Sequence, residues 1–293
     1  MHVPTDRWTA GGWNSKSSQL YRLAEALGHN KPTVSPEDLQ DLFKRVATPK
    51  LFADSVQPFI DASTGFKGTA ADLIENIERK LGLTEALPFM SLKGIEDPLG
   101  FNGVAIWPTG ITNWTKLRLE QIRTAQDAGA RFKHIVCLSS TRVCNATNDR
   151  KHPLIAGIPV GQEPTEQVLQ YQLAHSGAQD PSLFRFADLP TQNEDGRPLS
   201  LEQQLNHLKA SGQYDELIGN ADIYVPSTPN SLYVPLHVRR VLGHDNIWFS
   251  QAGARLVRGT PDFWWPSLQA VMTMPQGMLR LWVELLHAGC ITE

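Results

Sequence analysis

The sequence predicts a doubly wound α/β domain, built on a mostly parallel sheet and preceded by an α-helical subdomain. Three observations carry this. From residue 100 onward, short apolar runs alternate with stretches of helical period, the pattern of βαβ units. Those runs are apolar throughout (Val104-Ala105-Ile106, Ile135-Val136-Cys137-Leu138, Ile223-Tyr224-Val225), as strands covered on both faces must be. Before residue 100 only helical periodicity appears, with no clear strand.

The helical part comes first. Ser18 to Leu27 places Leu20, Leu23 and Leu27 on one side, with Gly28 as its stop. Pro36 to Val46 has Ser35 as N-cap and Pro36 at its first position. Thr69 to Leu81 carries a stripe of Leu73, Ile74, Ile77 and Leu81. Residues 84–100, with Pro88, Gly94, Pro98 and Gly100, read as the connection, so the expected domains are 1–100 and 101–293.

In the second part, strands are expected at Gly103–Trp107, His134–Leu138, Leu183–Phe186, Ala221–Val225 and Ile247–Ser250. Helices are expected at about Trp114 to Ala130, at Thr165 to Ser176 with Thr165 as cap, at Ser200 to Ala210, and up to Leu242 with Gly243 as stop. A C-terminal helical region spans Ser267 to Leu286, kinked or split by Pro275 and Gly277. Right-handed βαβ connections between these strands give a parallel, Rossmann-like sheet.

Composition narrows the function. The 293 residues are 41% hydrophobic and 19% charged, against about 25% charged in ordinary soluble domains, which excludes global disorder. The net charge of −3, without a basic block, argues against nucleic-acid partners, which demand phosphate neutralisation. The N-terminal residues lack an apolar signal core. The best membrane candidate, Leu268 to Leu286, is broken by Gln269, Pro275, Gln276, Arg280 and Glu284. A cytoplasmic protein without membrane contact is expected, of unknown oligomeric state. Cys137, Cys144 and Cys290 lack metal-ligand spacing, and His134, His152 and His237 share no zinc motif, so no metal is expected.

In an open parallel sheet, ligands bind beyond the carboxyl ends of the strands. Three of those ends carry small polar groups: Thr109-Gly110, Ser139-Ser140-Thr141, and Ser227-Thr228 with Asn230. They suit a polar or anionic small molecule, although helix caps and turns use the same residues. Arg142 could grip an anion, and Glu166, in the first turn of its helix, could meet a ribose or an amine as well as the helix dipole. Asp188 and His152 are the candidate catalytic acid/base residues. A phosphate loop of the Walker kind, a glycine-rich dinucleotide fingerprint after the first strand and a nucleophile elbow are all missing.

The order of these pieces resembles the YdcF/SanA/ElyC-like family over residues 100–286. The likeness rests on Ile106-Trp107-Pro108-Thr109-Gly110 followed by Thr115-Lys116-Leu117-Arg118-Leu119-Glu120, and on Ile135 through Ser140. It continues through Pro164-Thr165-Glu166, Ser200 to Gln204, Val225-Pro226-Ser227-Thr228, Val238 to Gly243 and Asp262 to Leu268. The family has more glycine after its first strand, Ser-Gly-Gly at the second turn, and a late-turn histidine not matched near Asn230 to Tyr233. The resemblance implies a Rossmann-like fold and, in one branch, S-adenosylmethionine as cofactor.

Three functions follow from these residues. The first is a binder of an adenosine-containing or similar anionic ligand that transfers a group to a second substrate. The second is a non-catalytic sensor using the same crevice. The third is a phosphate or glycosyl hydrolase using Asp188 and Asp222, disfavoured because Asp222 starts its strand at the opposite edge of the sheet.

Overall fold

The computed structural model describes residues 21, 24, 25, 28–47, 100–110, 112–144, 153–176, 180–226, 233–244, 246–250, 280, 283, 284 and 287. The predicted helix Thr69 to Leu81 lies outside them, as do most of Ser18 to Leu27 and of Ser267 to Leu286. By compactness the chain divides into two units, one of residues 1, 93–228 and 237–252, the other of 2–92, 229–236 and 253–293.

In the second unit, helix α1 runs Pro36–Ala47. It starts where the sequence says it should: Ser35 Oγ accepts from the Asp38 N–H at 3.1 Å, and Asp38 Oδ2 accepts from the Ser35 N–H at 3.1 Å. This reciprocal cap satisfies two amides that a helix start leaves orphaned. Leu39 and Leu42 face inward, fully buried.

The first unit holds β1 (Asn102–Pro108), α2 (Thr112–Asp127), β2 (Arg131–Leu138), α3 (Glu166–His175), β3 (Phe184–Phe186), α4 (Leu201–Ala210), α5 (Gln213–Leu217), β4 (Asp222–Pro226), β5 (Ile247–Ser250) and, from His237 onward, α6 (Val234–Leu242). All five strands are parallel, in the order β3-β2-β1-β4-β5. The α/β class and the parallel sheet are as the sequence predicts. The five-residue α5 and a single 3₁₀ turn at Pro181–Leu183 are additions to it.

Both faces of the sheet are buried, which explains the uniformly apolar strands. Ala105, Trp107, Ile135, Cys137 and Tyr224 pack in one core with Leu119 and Ile122 of α2 and Leu169 and Leu173 of α3. Their alternate neighbours Val104, Ile106, Val136, Leu138, Ile223 and Val225 point to the other face and are also buried. Right-handed connections stepping β1 to β2 to β3 in one direction, and β3 to β4 to β5 in the other, place α2 and α3 opposite α4 and α6. Among the described residues, no helix is long and apolar enough to cross a membrane.

Helix α4 has the clearest start signal. The Ser200 hydroxyl accepts from the Gln203 N–H at 3.3 Å, and the Gln203 side chain accepts from the Ser200 N–H at 2.9 Å. Ser200→Ala should destabilise the protein by about 1 kcal/mol. The check is urea unfolding, in which the midpoint falls while the slope stays unchanged.

Candidate functional site

The carboxyl ends of β1 and β2 share one hydrogen-bond network. At the end of β1, Gly110 donates its N–H to Thr115 Oγ1 at 3.0 Å, and the same hydroxyl donates to the Gly110 carbonyl at 3.1 Å. Thr115 is fully buried in α2. One turn along, Arg118 Nη1 donates to the carbonyls of Pro108 (3.0 Å) and Thr109 (2.9 Å). A Cβ on residue 110 would stand 3.2 Å from that guanidinium nitrogen, so the glycine lets the turn lie flat on its helix.

The end of β2 is tied to this turn. Ser140 donates its N–H to Thr109 Oγ1 at 3.1 Å, and Thr109 donates its N–H to the Leu138 carbonyl at 3.0 Å. The Ser139 hydroxyl donates to Gln170 Oε1 at 2.6 Å, and Gln170 Nε2 donates to the Trp107 carbonyl at 2.7 Å. From the other face of the sheet, Gln204 Nε2 donates to the Ser139 and Leu199 carbonyls, both at 3.3 Å. Thr141 donates its hydroxyl to the Thr191 carbonyl at 2.5 Å.

Beyond Ser140 the chain is gathered onto the start of α3. Arg142 donates its N–H to Ser140 Oγ at 3.1 Å, and its Nε lies 2.5 Å from the buried carboxylate of Glu166. The first amides of α3 are occupied: Glu166 donates to the Arg142 carbonyl (2.8 Å), Gln167 to the Ser140 carbonyl (3.0 Å) and Val168 to the Thr165 hydroxyl (3.3 Å). Those three donors, which an anion at a helix start would use, hold the loop instead.

Thr109, Gly110, Ser139, Ser140, Arg142 and Glu166 thus come together. Asp188 follows β3, exposed, its main chain clamped by Gln213, whose amide accepts from the Asp188 N–H at 2.8 Å and donates to the Asp188 carbonyl at 2.9 Å. Among the described residues, no hydrogen bond joins Asp188 to the β1/β2 network. His152, Ser227, Thr228 and Asn230 lie outside the described residues.

Sequence reading missed four members: Thr115, Arg118, Gln170 and Gln204. A signal existed for the two glutamines. Gln170 sits on the inward stripe with Leu169, Leu173 and Ala174, and Gln204 with Leu205 and Leu208. A polar residue on a buried stripe needs a partner, and a strand end is the nearest supply of unpaired carbonyls.

The network holds two guanidinium groups and one buried carboxylate amid hydroxyls and carboxamides. Such a set can orient and bind a polar ligand through side chains. Cys137 does not add a nucleophile, because burial pushes its thiol far above its ordinary value and keeps it protonated. Among the described residues, no three metal-ligating side chains gather at one point. No family model matches the chain, and neither a curated protein nor a solved structure does.

Proposed function

We propose that this chain is a Rossmann-like, doubly wound small-molecule-binding protein. Its ligand would be an adenosine-containing or similarly polar, anionic compound such as S-adenosylmethionine, held over the carboxyl ends of β1, β2 and β4. One observation carries the reading: the strand succession reverses beside β1, with β2 on one side and β4 on the other. In open α/β sheets the crevice for a ligand opens at that reversal, because the helices leaving the two strands go to opposite faces. The order is that of the first five strands of the dinucleotide-binding fold. The preorganised β1/β2 network is assigned to one wall of that crevice; Ser227 and Thr228, which follow β4 in the sequence, are assigned to the ligand from their place in the sequence alone. The resemblance to YdcF-like proteins favours the same ligand class. Arg142 is the side chain assigned to the ligand's anionic group.

The test is a thermal-shift panel of S-adenosylmethionine, nucleotides and sugar nucleotides. A true ligand at about 100 times its dissociation constant should stabilise by roughly 2.7 kcal/mol. Ser227→Trp should abolish that shift, and Arg142→Gln should weaken it. If no compound in the panel raises the melting temperature, the reading is wrong. An unchanged shift in both variants would move the site elsewhere. Turnover of a binding compound, followed by product analysis, separates a group transferase from a sensor.

A further inference from the structure

We propose that the ligand presents a carboxylate, and not a phosphate, to the ends of β1 and β2, which makes it a phosphate-free nucleoside derivative. The inference rests on the ligand reading above and narrows its class. A phosphate in an α/β crevice is gripped chiefly by main-chain N–H groups, at the turn after a strand and in the first turn of the helix that follows. Here those groups are in use. Glu166, Gln167 and Val168, which open α3, donate to the Arg142 carbonyl, the Ser140 carbonyl and the Thr165 hydroxyl. In the turns, Thr109 donates its N–H to the Leu138 carbonyl, Ser140 to the Thr109 hydroxyl and Gly110 to the Thr115 hydroxyl. A phosphate could take these amides only by stranding the carbonyls and hydroxyls that now hold them, so each bond gained is matched by one lost.

Backbone shape and charge point the same way. An anion nest commonly turns successive N–H groups to one side through a left-handed residue. Among the described residues of these two turns none has a positive φ, Gly110 included. Arg118 spends its Nη1 on the carbonyls of Pro108 and Thr109. Arg142, the cation assigned to the ligand, carries the buried Glu166 carboxylate on its Nε at 2.5 Å. An anion that joins them shares Arg142 with a negative charge that is held out of solvent. A carboxylate brings one charge to that contact, and its two oxygens suit a guanidinium. A phosphate monoester brings about −1.5 to −2 and three oxygens to satisfy, against a wall whose amides are engaged.

Isothermal titration of the full chain with matched adenine compounds tests this. The probes are adenosine, S-adenosylmethionine, S-adenosylhomocysteine (which lacks the sulfonium charge), AMP, ADP and inorganic pyrophosphate. The two carboxylate-bearing compounds should bind at least about tenfold more tightly than AMP and ADP, and pyrophosphate should give no binding heat. Arg142→Gln should weaken those two compounds and leave adenosine unchanged. A smaller margin, or a preference for AMP or ADP, overturns the proposal and leaves the crevice reading standing. Binding by none of the six overturns both. Hydrogen exchange supplies an outcome that needs no ligand: the amides of Glu166, Gln167 and Val168 should exchange slowly, and no more slowly when pyrophosphate is added. Fast exchange there, or protection by pyrophosphate, would show donors open to an anion and would also overturn the proposal.

Discussion

Gly103→Ala should destabilise the protein by about 3 kcal/mol or more, enough to lower its melting temperature by roughly 6–12 °C. Gly103 lies in β1, the central strand, between Phe132 of β2 and Asp222 of β4. A Cβ there would overlap the Asp222 carbonyl oxygen, and would come within 2.9 Å of the Asp222 carbonyl carbon and of the Phe101 ring. A backbone carbonyl in a sheet cannot rotate aside as a side-chain tip can, so β1 and β4 must part where the strand order reverses. The register of β1 against β2 already shifts between Gly103 and Val104, which leaves the local backbone little room to absorb more. Gly110→Ala is the contrast. There the Cβ would meet the end of the Arg118 side chain at 3.2 Å, and about 1 kcal/mol is the expected loss. Urea unfolding of the two variants side by side is the measurement. A Gly103→Ala protein within about 1 kcal/mol of the parent would mean that β1 and β4 do not approach as described.

That glycine marks the boundary of what is legible from sequence. The strands themselves are legible because full burial makes them apolar: β5 is found at its predicted residues, and β4 within one residue at each end. Thr165 caps α3 as its position suggests. The reading of β2 from His134 stops short of Arg131, because Arg131 and Lys133 are exposed on either side of buried Phe132 and hide the strand among charges. The neighbours of β1 are not legible at all. Nothing near residue 103 says that residue 222 will lie against it, since the contact belongs to the sheet as a whole. The site divides in the same way. The hydroxyls of Thr109, Ser139 and Ser140 announce themselves by standing at strand ends. Their partners Gln170 and Gln204 are 63 and 65 residues from the carbonyls they bind, at Trp107 and Ser139, and only the completed βαβ connections bring them there. The hydroxyls also turn out to be engaged within the chain, so what reads as a row of open donors is in part a scaffold that ties the ends of β1 and β2 together.

Gln170→Leu should be the most damaging substitution in that scaffold, at about 3 kcal/mol. Gln170 is fully buried, and its carboxamide works in both directions, donating to the Trp107 carbonyl and accepting from the Ser139 hydroxyl. Leucine fills a similar volume but strands a buried carbonyl and a half-buried hydroxyl, each costing roughly 1–3 kcal/mol. Gln170→Glu separates hydrogen bonding from packing. An ionised carboxylate would confront the Trp107 carbonyl with no proton to give, whereas a protonated one could donate to that carbonyl and still accept from Ser139. Burial and the facing carbonyl both favour the protonated acid, so its pKa in the folded protein must exceed the unfolded value of about 4.3. The penalty is therefore absent below that unfolded value, grows as pH rises from it, and levels off above the raised folded value. Relative to the parent, Gln170→Glu should lose stability between acidic and neutral pH, while the deficit of Gln170→Leu stays constant. Chemical denaturation of both variants from about pH 4 to pH 8 resolves the two behaviours. A flat deficit in the glutamate variant would mean that the side chain at 170 does not face a carbonyl. The ends of β1 and β2 would then be joined by something other than this carboxamide, and the proposed ligand site would lose the support assigned to it.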